Sequence, residues 1–225
     1  IEYKPSCSSP YGRLYGNGIQ NLSRKLRGFL CNGLTTDMDF KNMHPTILYY
    51  ICMKHDIKCS FLTEYITKRD EILETLSTEL NTSRDDVKLK IIKAINYEDH
   101  KPETTGNVFL INFGFEIKKI QNKVYNIDEY EWLVDEVKNN KKQFNFKGSF
   151  ISHLCCYTEN NMILSLYDFL IKKDYDIHSL MFDGLMIYGN HYEDVELLEE
   201  CNEFIKEKFG EYHGVTYKPH SDYYK

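Results

Sequence analysis

The sequence has no C-x-x-C pair, no charged-then-apolar leader, and no apolar run near the roughly 18 residues of a membrane span. Without such a pair, seven scattered cysteines argue against a disulfide scaffold or a tetrahedral zinc site and for a reducing, intracellular compartment. Runs such as Thr46–Met53 are too short to cross a bilayer, so no membrane is expected among the partners. Internal repeats, low-complexity tracts and the G-x-x-x-x-G-K-[ST] phosphate loop are also missing. Positive charge is not in excess. Lys+Arg number 28 against 34 Asp+Glu, and the net −6 gives no global footprint of a nucleic-acid binder. The opening Ile1-Glu2-Tyr3-Lys4 reads as a cut from a longer protein.

What is present is a globular composition, 42% hydrophobic and 28% charged, in a length that allows one large domain or two small ones. Basic residues do gather locally: Arg13, Arg24, Lys25 and Arg27; Lys88, Lys90 and Lys93; Lys138, Lys141, Lys142 and Lys147. Each group is either a solvated face or one wall of a basic groove on an acidic body.

Residues 1–33 carry turn signals (Ser8-Ser9-Pro10, Gly12, Gly16-Asn17-Gly18, Gly28) and read as loop with short strands. Leu34–Phe40 reads as a buried strand, and Pro45 starts a helix over Pro45–Lys54. Helical spacing covers Phe61–Leu80 and Ser83–Tyr97, the latter opened by Ser83 and the acidic Asp85-Asp86. Asp99–Gly106 is the clearest break, and Asn107–Tyr125 has no decisive period. Asp128–Asn139 and Ile151–Lys172 read as helices. Ile177–Phe182 and Leu185–Tyr188 form a hairpin about Asp183-Gly184, followed by a helix over Asp194–Phe209 and a strand over Gly214–Tyr217. The fold class is α+β, a small antiparallel sheet with helices packed on it.

Two features carry chemistry. Asp37-Met38-Asp39 ends the strand before Asn42-Met43-His44-Pro45, and Asp183 sits at the tip of the apolar hairpin. Carboxylates brought together by a sheet repel one another unless a divalent ion lies between them, and Mg²⁺ suits carboxylate oxygens with waters and substrate phosphates in its other positions. Taken singly, D-x-D also occurs at helix caps, and Asp-Gly is an ordinary turn.

Their order along the chain is Gly12-Arg13-Leu14, Gln20-Asn21-Leu22, Arg27, Asp39 with His44 five residues on, Arg84-x-x-x-Lys88, then Phe182-Asp183-Gly184. This resembles the palm and fingers of family A DNA polymerases. Asp39-Phe40-Lys41-Asn42-Met43-His44-Pro45-Thr46-Ile47 also resembles the family B form of motif A, D-x-x-S-L-Y-P-S-I. The combination of D-x-D-x-x-N-x-H-P with F-D-G-L-M is similar to replication proteins of large DNA viruses and virophages, in which a polymerase or primase part is often fused to a helicase.

The resemblance implies a right-hand polymerase-like core over 1–225, with a palm at about 1–55 and 145–225 and a helical fingers-like insertion at about 56–144. It implies a template-directed nucleotidyltransferase, a DNA polymerase or primase-polymerase, acting on primer–template and nucleoside triphosphates. Asp39 and Asp183 would be catalytic, holding two Mg²⁺ or Mn²⁺ ions with help from Asp37. Arg84, Lys88, His44 and Tyr97 would contact the nucleotide. His44 stands at the sugar gate or merely caps a helix, and Asn96 rivals Tyr97. Arg13, Gln20, Asn21 and Arg27 would lie along the nucleic-acid backbone. His153 and Glu159 stand where the resembled family places template- and primer-contacting residues, but are read in preference as ordinary helix residues, and Cys155-Cys156 as small buried hydrophobes.

The Phe182-Asp183-Gly184 hairpin departs from the family, with Gly184 where a second acid is usual, and no Y-G follows the helix of Arg84-x-x-x-Lys88. A catalytically degenerate domain that binds primer–template or docks a helicase is therefore the second reading. A D-x-D glycosyltransferase is the third, and it leaves Asp183 and Arg84-x-x-x-Lys88 without a role.

Overall fold

The computed structural model describes residues 1–6, 9–139, 144–211 and 213–223, so Ser8 of the first turn signal and Lys141 and Lys142 of the third basic group lie outside the described residues. The chain forms two compact units, one from residues 1–44 and 156–225 and one from 45–155. The second is wider at each end than 56–144, because the residues after His44 and those up to Cys155 cluster with its helices.

The first unit is built on strands β1 (Tyr3–Ser6), β2 (Ser9–Gly16), β3 (Thr35–Phe40), β4 (Ile177–Leu180), β5 (Gly184–Tyr188) and β6 (Val215–Tyr217). β1 and β2 make a hairpin, and the rest form an antiparallel sheet in the order β4-β5-β3-β6. The α+β class expected from the sequence is what forms. β3 lies centrally and is covered on both faces, with Thr35, Thr36, Asp37, Met38 and Phe40 all buried. The hairpin turns at the expected place, but β4 ends at Leu180, since Met181 N donates to Gly184 O at 2.8 Å and Met181–Asp183 make the turn.

Helix α1 (Arg24–Cys31), capped by Ser23 through a bond from Leu26 N, occupies what reads as loop in the sequence. Later in the unit, α9 (Val195–Phe209) is capped by the Asp194 side chain. Its buried residues Leu197, Cys201, Ile205 and Phe209 recur every four positions, the stripe of a helix laid on a sheet.

The second unit is helical. It holds α2 (Met43–Lys54) from Pro45 onward, α3 (Ser60–Thr67), α4 (Arg69–Glu79), α5 (Arg84–Asn96), α6 (Val108–Tyr125), α7 (Glu131–Asn139), and α8 (Phe146–Lys172) up to Cys155. Pro45 falls in the first turn of α2, where its missing N–H costs nothing. Asn42, at φ 52°, makes the preceding turn, a left-handed conformation that asparagine tolerates. Ser83 caps α5 as the sequence predicts, its side chain accepting from Asp86 N. The single helix expected over Phe61–Leu80 is broken at Lys68 into α3 and α4. The undecided stretch Asn107–Tyr125 becomes α6, whose Phe113, Ile117 and Ile120 are fully buried at the centre of the unit. No helix among the described residues is long and apolar enough to cross a membrane.

Candidate active site

The sheet juxtaposes the two predicted carboxylates through the main chain. β3 and β5 pair with Thr35 opposite Tyr188 and, at the other end, Asp39 opposite Gly184. Phe40 N then donates to Asp183 O at 2.8 Å, so Asp183 is held one step beyond Asp39 at the same end of the sheet. The Asp39 carboxyl is pushed up to about 6, by burial first and by the charge of Asp183 second, while Lys218 pulls the other way. Lys218 Nζ lies 3.0 Å from Asp39 Oδ2. It is delivered there by β6, whose Thr216 pairs with Asp39, and by its own N–H, which donates to Asp37 O at 2.9 Å. Asp37 is buried at 4% exposure, two residues back on the same face of β3, and adds a smaller repulsion to Asp39.

The missing second acid of the hairpin has a steric cause. A Cβ at Gly184 would stand 2.0 Å from Met38 O and 3.0 Å from Asp39 Cα, so no side chain fits in this register. Gly184→Ala should force the strands apart at the site and destabilise the chain by on the order of 3 kcal/mol. A urea midpoint equal to that of wild type would show that the strands do not approach this closely.

A second cluster adjoins the first. Arg13, on β2, grips Glu159 with Nε to Oε2 at 2.6 Å and Nη2 to Oε1 at 3.1 Å, a bidentate pair. Its guanidinium also lies over the Phe182 ring, 5.4 Å from the centroid, and feels the charge of Asp183. Glu159 is only 1% exposed, and its Oε1 is 3.6 Å from His44 Nε2. Burial alone would lower the His44 value, but the Cys156 thiol and the Glu159 carboxylate beside it more than reverse this and bring it to about 9. His44 therefore carries a charge at neutral pH. Because its folded-state value lies above the ordinary 6.5, its contribution to stability is complete below about 6.5 and is lost as pH rises through about 9. Wild-type stability from urea titrations should fall across that window relative to His44→Gln. Parallel curves for the two would remove His44 from the network.

The His44, Cys156 and Glu159 ligand atoms all lie within 4.8 Å of one another. Both Glu159 oxygens are held by Arg13, and with His44 raised to about 9 the cluster forms an ion-pair network. Cys155 is buried as expected, whereas Cys156 is half-exposed and belongs to this network.

The other predicted residues are placed as follows. Gln20 is buried; its Oε1 accepts from Gly16 N at 2.9 Å, and its Nε2 donates to Leu180 O at 2.7 Å and Leu14 O at 3.2 Å. It thus staples β2 to β4, with its amide committed inside the unit. Asn21 donates to Gly16 O at 3.1 Å. Arg27 is half-buried on α1, and its charge acts on Cys31 and His220. In the helical unit, Arg84 pairs with Asp70, and Lys88 Nζ lies 2.7 Å from Asp85 Oδ1, both exposed pairs. Tyr97 is exposed at the C-terminus of α5, and the Asn96 carbonyl accepts from Asn145 Nδ2 at 3.0 Å. His153 is half-buried on α8. Sequence reasoning missed Lys218 and undervalued Glu159. Each meets its partner across the fold, 179 and 146 positions away, where no local pattern points to it.

No protein-family model matches the chain. Over 221 aligned residues, which cover 92% of this chain, it is 30% identical to the protein named "Putative helicase V13" of Sputnik virophage. The matched part is 28% of that protein, so the chain spans under a third of the relative's length.

Proposed function

We propose that the chain is the catalytic core of a template-directed nucleotidyltransferase, a DNA polymerase or primase-polymerase that extends a 3′-hydroxyl. The observation that carries this reading is the β3–β5 register. It sets Asp39 and Asp183 at one end of a buried antiparallel sheet, close enough that the charge of Asp183 helps to push the Asp39 carboxyl up. A half-buried carboxylate, Asp39, with the exposed Asp183 beside it offers hard oxygen donors that fit Mg²⁺ or Mn²⁺. Bound there, two such ions would activate the 3′-hydroxyl and neutralise the phosphoryl group in transfer.

The chain's own residues would hold and orient. Asp39 and Asp183 would be the ligands, and Lys218 would keep Asp39 in place while the site is unloaded. Arg13, anchored by Glu159 and lying over Phe182, would offer positive charge beside Asp183 to an approaching backbone phosphate. His44, charged and packed against Glu159, occupies the sugar-gate position of the resembled motif. Arg84 and Lys88 keep their nucleotide-phosphate roles in the same proposal, since their present acidic partners are exposed and exchangeable. The helicase in the relative's name supports a place in viral DNA replication, with this chain beside a helicase in one polypeptide or complex.

The degenerate reading is favoured by one observation, the ion pair that Lys218 makes with Asp39. The two are separated by extension of a labelled primer on a template with Mg²⁺ or Mn²⁺, using dNTPs and then rNTPs. Metal-dependent extension supports the catalytic reading and shows which sugar the site accepts. Binding of primer–template with no extension under either metal would leave the degenerate domain.

A further inference from the structure

We infer that the helical unit carries a binding groove for single-stranded nucleic acid, formed between the start of α3 and one face of α6. The inference goes beyond the catalytic reading and does not depend on it. The groove encloses about 370 Å³ and is lined by Lys58, Phe61, Asn112, Phe115, Lys119 and Lys123, together with Glu116. That volume lies in the range of small-ligand sites, enough for a base with its sugar and too little for a duplex.

Asn112, Phe115, Lys119 and Lys123 follow one another at spacings of three and four, so they share a single stripe of α6. Lys58 and Phe61 face this stripe from the segment leading into α3. The acid in the groove is already committed, because Glu116 Oε2 accepts from Leu62 N at 2.9 Å in the first turn of α3. Elsewhere in this unit Lys54, Lys68, Lys88, Lys138 and Lys147 each pair with a carboxylate. Among the described residues, Lys58, Lys119 and Lys123 have no such pair, as is also true of Lys90, Lys93, Lys101 and Lys118, but the first three line one groove and concentrate positive charge there on an acidic chain.

Phe115 stands among them with 45% of its surface exposed, while Phe61 is braced edge-on against Phe109, centroids 6.0 Å apart. A lone exposed phenylalanine needs no explanation. One flanked by three unpaired lysines in a concave site has the two elements that hold single strands: cations that track phosphates, and an aromatic face on which any base can stack. An acidic peptide would use the lysines and leave the ring idle.

The test is fluorescence anisotropy of the full chain with a labelled oligothymidylate over a range of salt concentrations, beside a Lys58→Gln/Lys119→Gln/Lys123→Gln variant and Phe115→Ala. All four side chains are exposed, and circular dichroism verifies the fold of each variant. Each phosphate that no longer meets a lysine lowers the log–log salt slope by about 0.7, so the triple variant should bind with a slope smaller by about 2. Phe115→Ala should weaken binding about tenfold. An unchanged slope in the triple variant, or unchanged affinity in Phe115→Ala, overturns the inference. So does displacement of the oligonucleotide by polyglutamate as readily as by unlabelled oligothymidylate. Primer extension is read separately from oligothymidylate binding in the wild-type chain, so the groove and the catalytic reading can fail separately.

Discussion

A primer that the wild-type chain extends in Mg²⁺ should stay essentially unextended when Asp183 is replaced by asparagine, a fall of about 10³-fold or more in rate. Asparagine keeps the size of the side chain, and the bond that aligns the hairpin, Phe40 N to Asp183 O, belongs to the backbone. The fold should therefore survive. On the proposed function, one of two anionic metal ligands would be lost, and with it charge stabilisation worth several kcal/mol in the transition state, where about 1.4 kcal/mol is a factor of ten. Asp39→Asn should fail in the same way. Its loss also strands Lys218, but burial and Asp183 already disfavour the charged Asp39 more than Lys218 favours it, so no fall in thermal stability is expected for either variant. Retention of Mg²⁺-dependent extension by either variant would take the catalytic assignment away from this pair.

The largest effect on stability is expected at Glu159. With 1% exposure it sits between the Arg13 guanidinium and the protonated His44, so Glu159→Ala leaves one partly buried cation unpaired and forces the other to give up its proton. Breaking a buried pair from one side costs about 3–5 kcal/mol, which for a chain of this length lowers Tm by roughly 10 °C. Replacing both members with apolar residues, Arg13→Met with Glu159→Leu, should recover most of that loss, because the cost comes from the orphaned charge rather than from the absence of a bond. Glu159→Ala within about 0.5 kcal/mol of wild type would mean that Glu159 is solvated and not the hub of the cluster.

The parts of this molecule that were legible in its sequence are those with local causes. The hairpin turn ending at Asp183, the Ser83 cap and Pro45 in a helical first turn each act within a few residues and stand where they were expected, although Gly184 already opens β5. α1 was hidden because its apolar residues Leu26, Phe29 and Leu30 face outward, and Gly28 punctuates it like a loop. α6 buries one stripe (Leu110, Phe113, Ile117, Ile120, Val124), but its period is masked in the sequence because Val108 and Phe115, on the exposed side, are apolar too. Nothing in the sequence marks the break at Lys68, where neither proline nor glycine stands. Arg13 was picked out for its place in a motif, but what anchors it, a glutamate beyond an inserted helical unit, is a property of the tertiary fold alone.

Gly184 gives the candidate site an unusual kind of durability. The alignment of Asp39 with Asp183 is written in peptide groups: a run of strand pairs, one bond from Phe40, and a glycine that lets the two backbones touch. Side chains around it can drift without moving either carboxylate, provided that position 184 stays bare. The same closeness closes a route of change. No lineage carrying this register can regain an acidic neighbour to Asp183 by a single replacement, since the strands would first have to part. Any adjustment of charge at the site must come from positions such as Lys218, which lies outside the β3–β5 pairing.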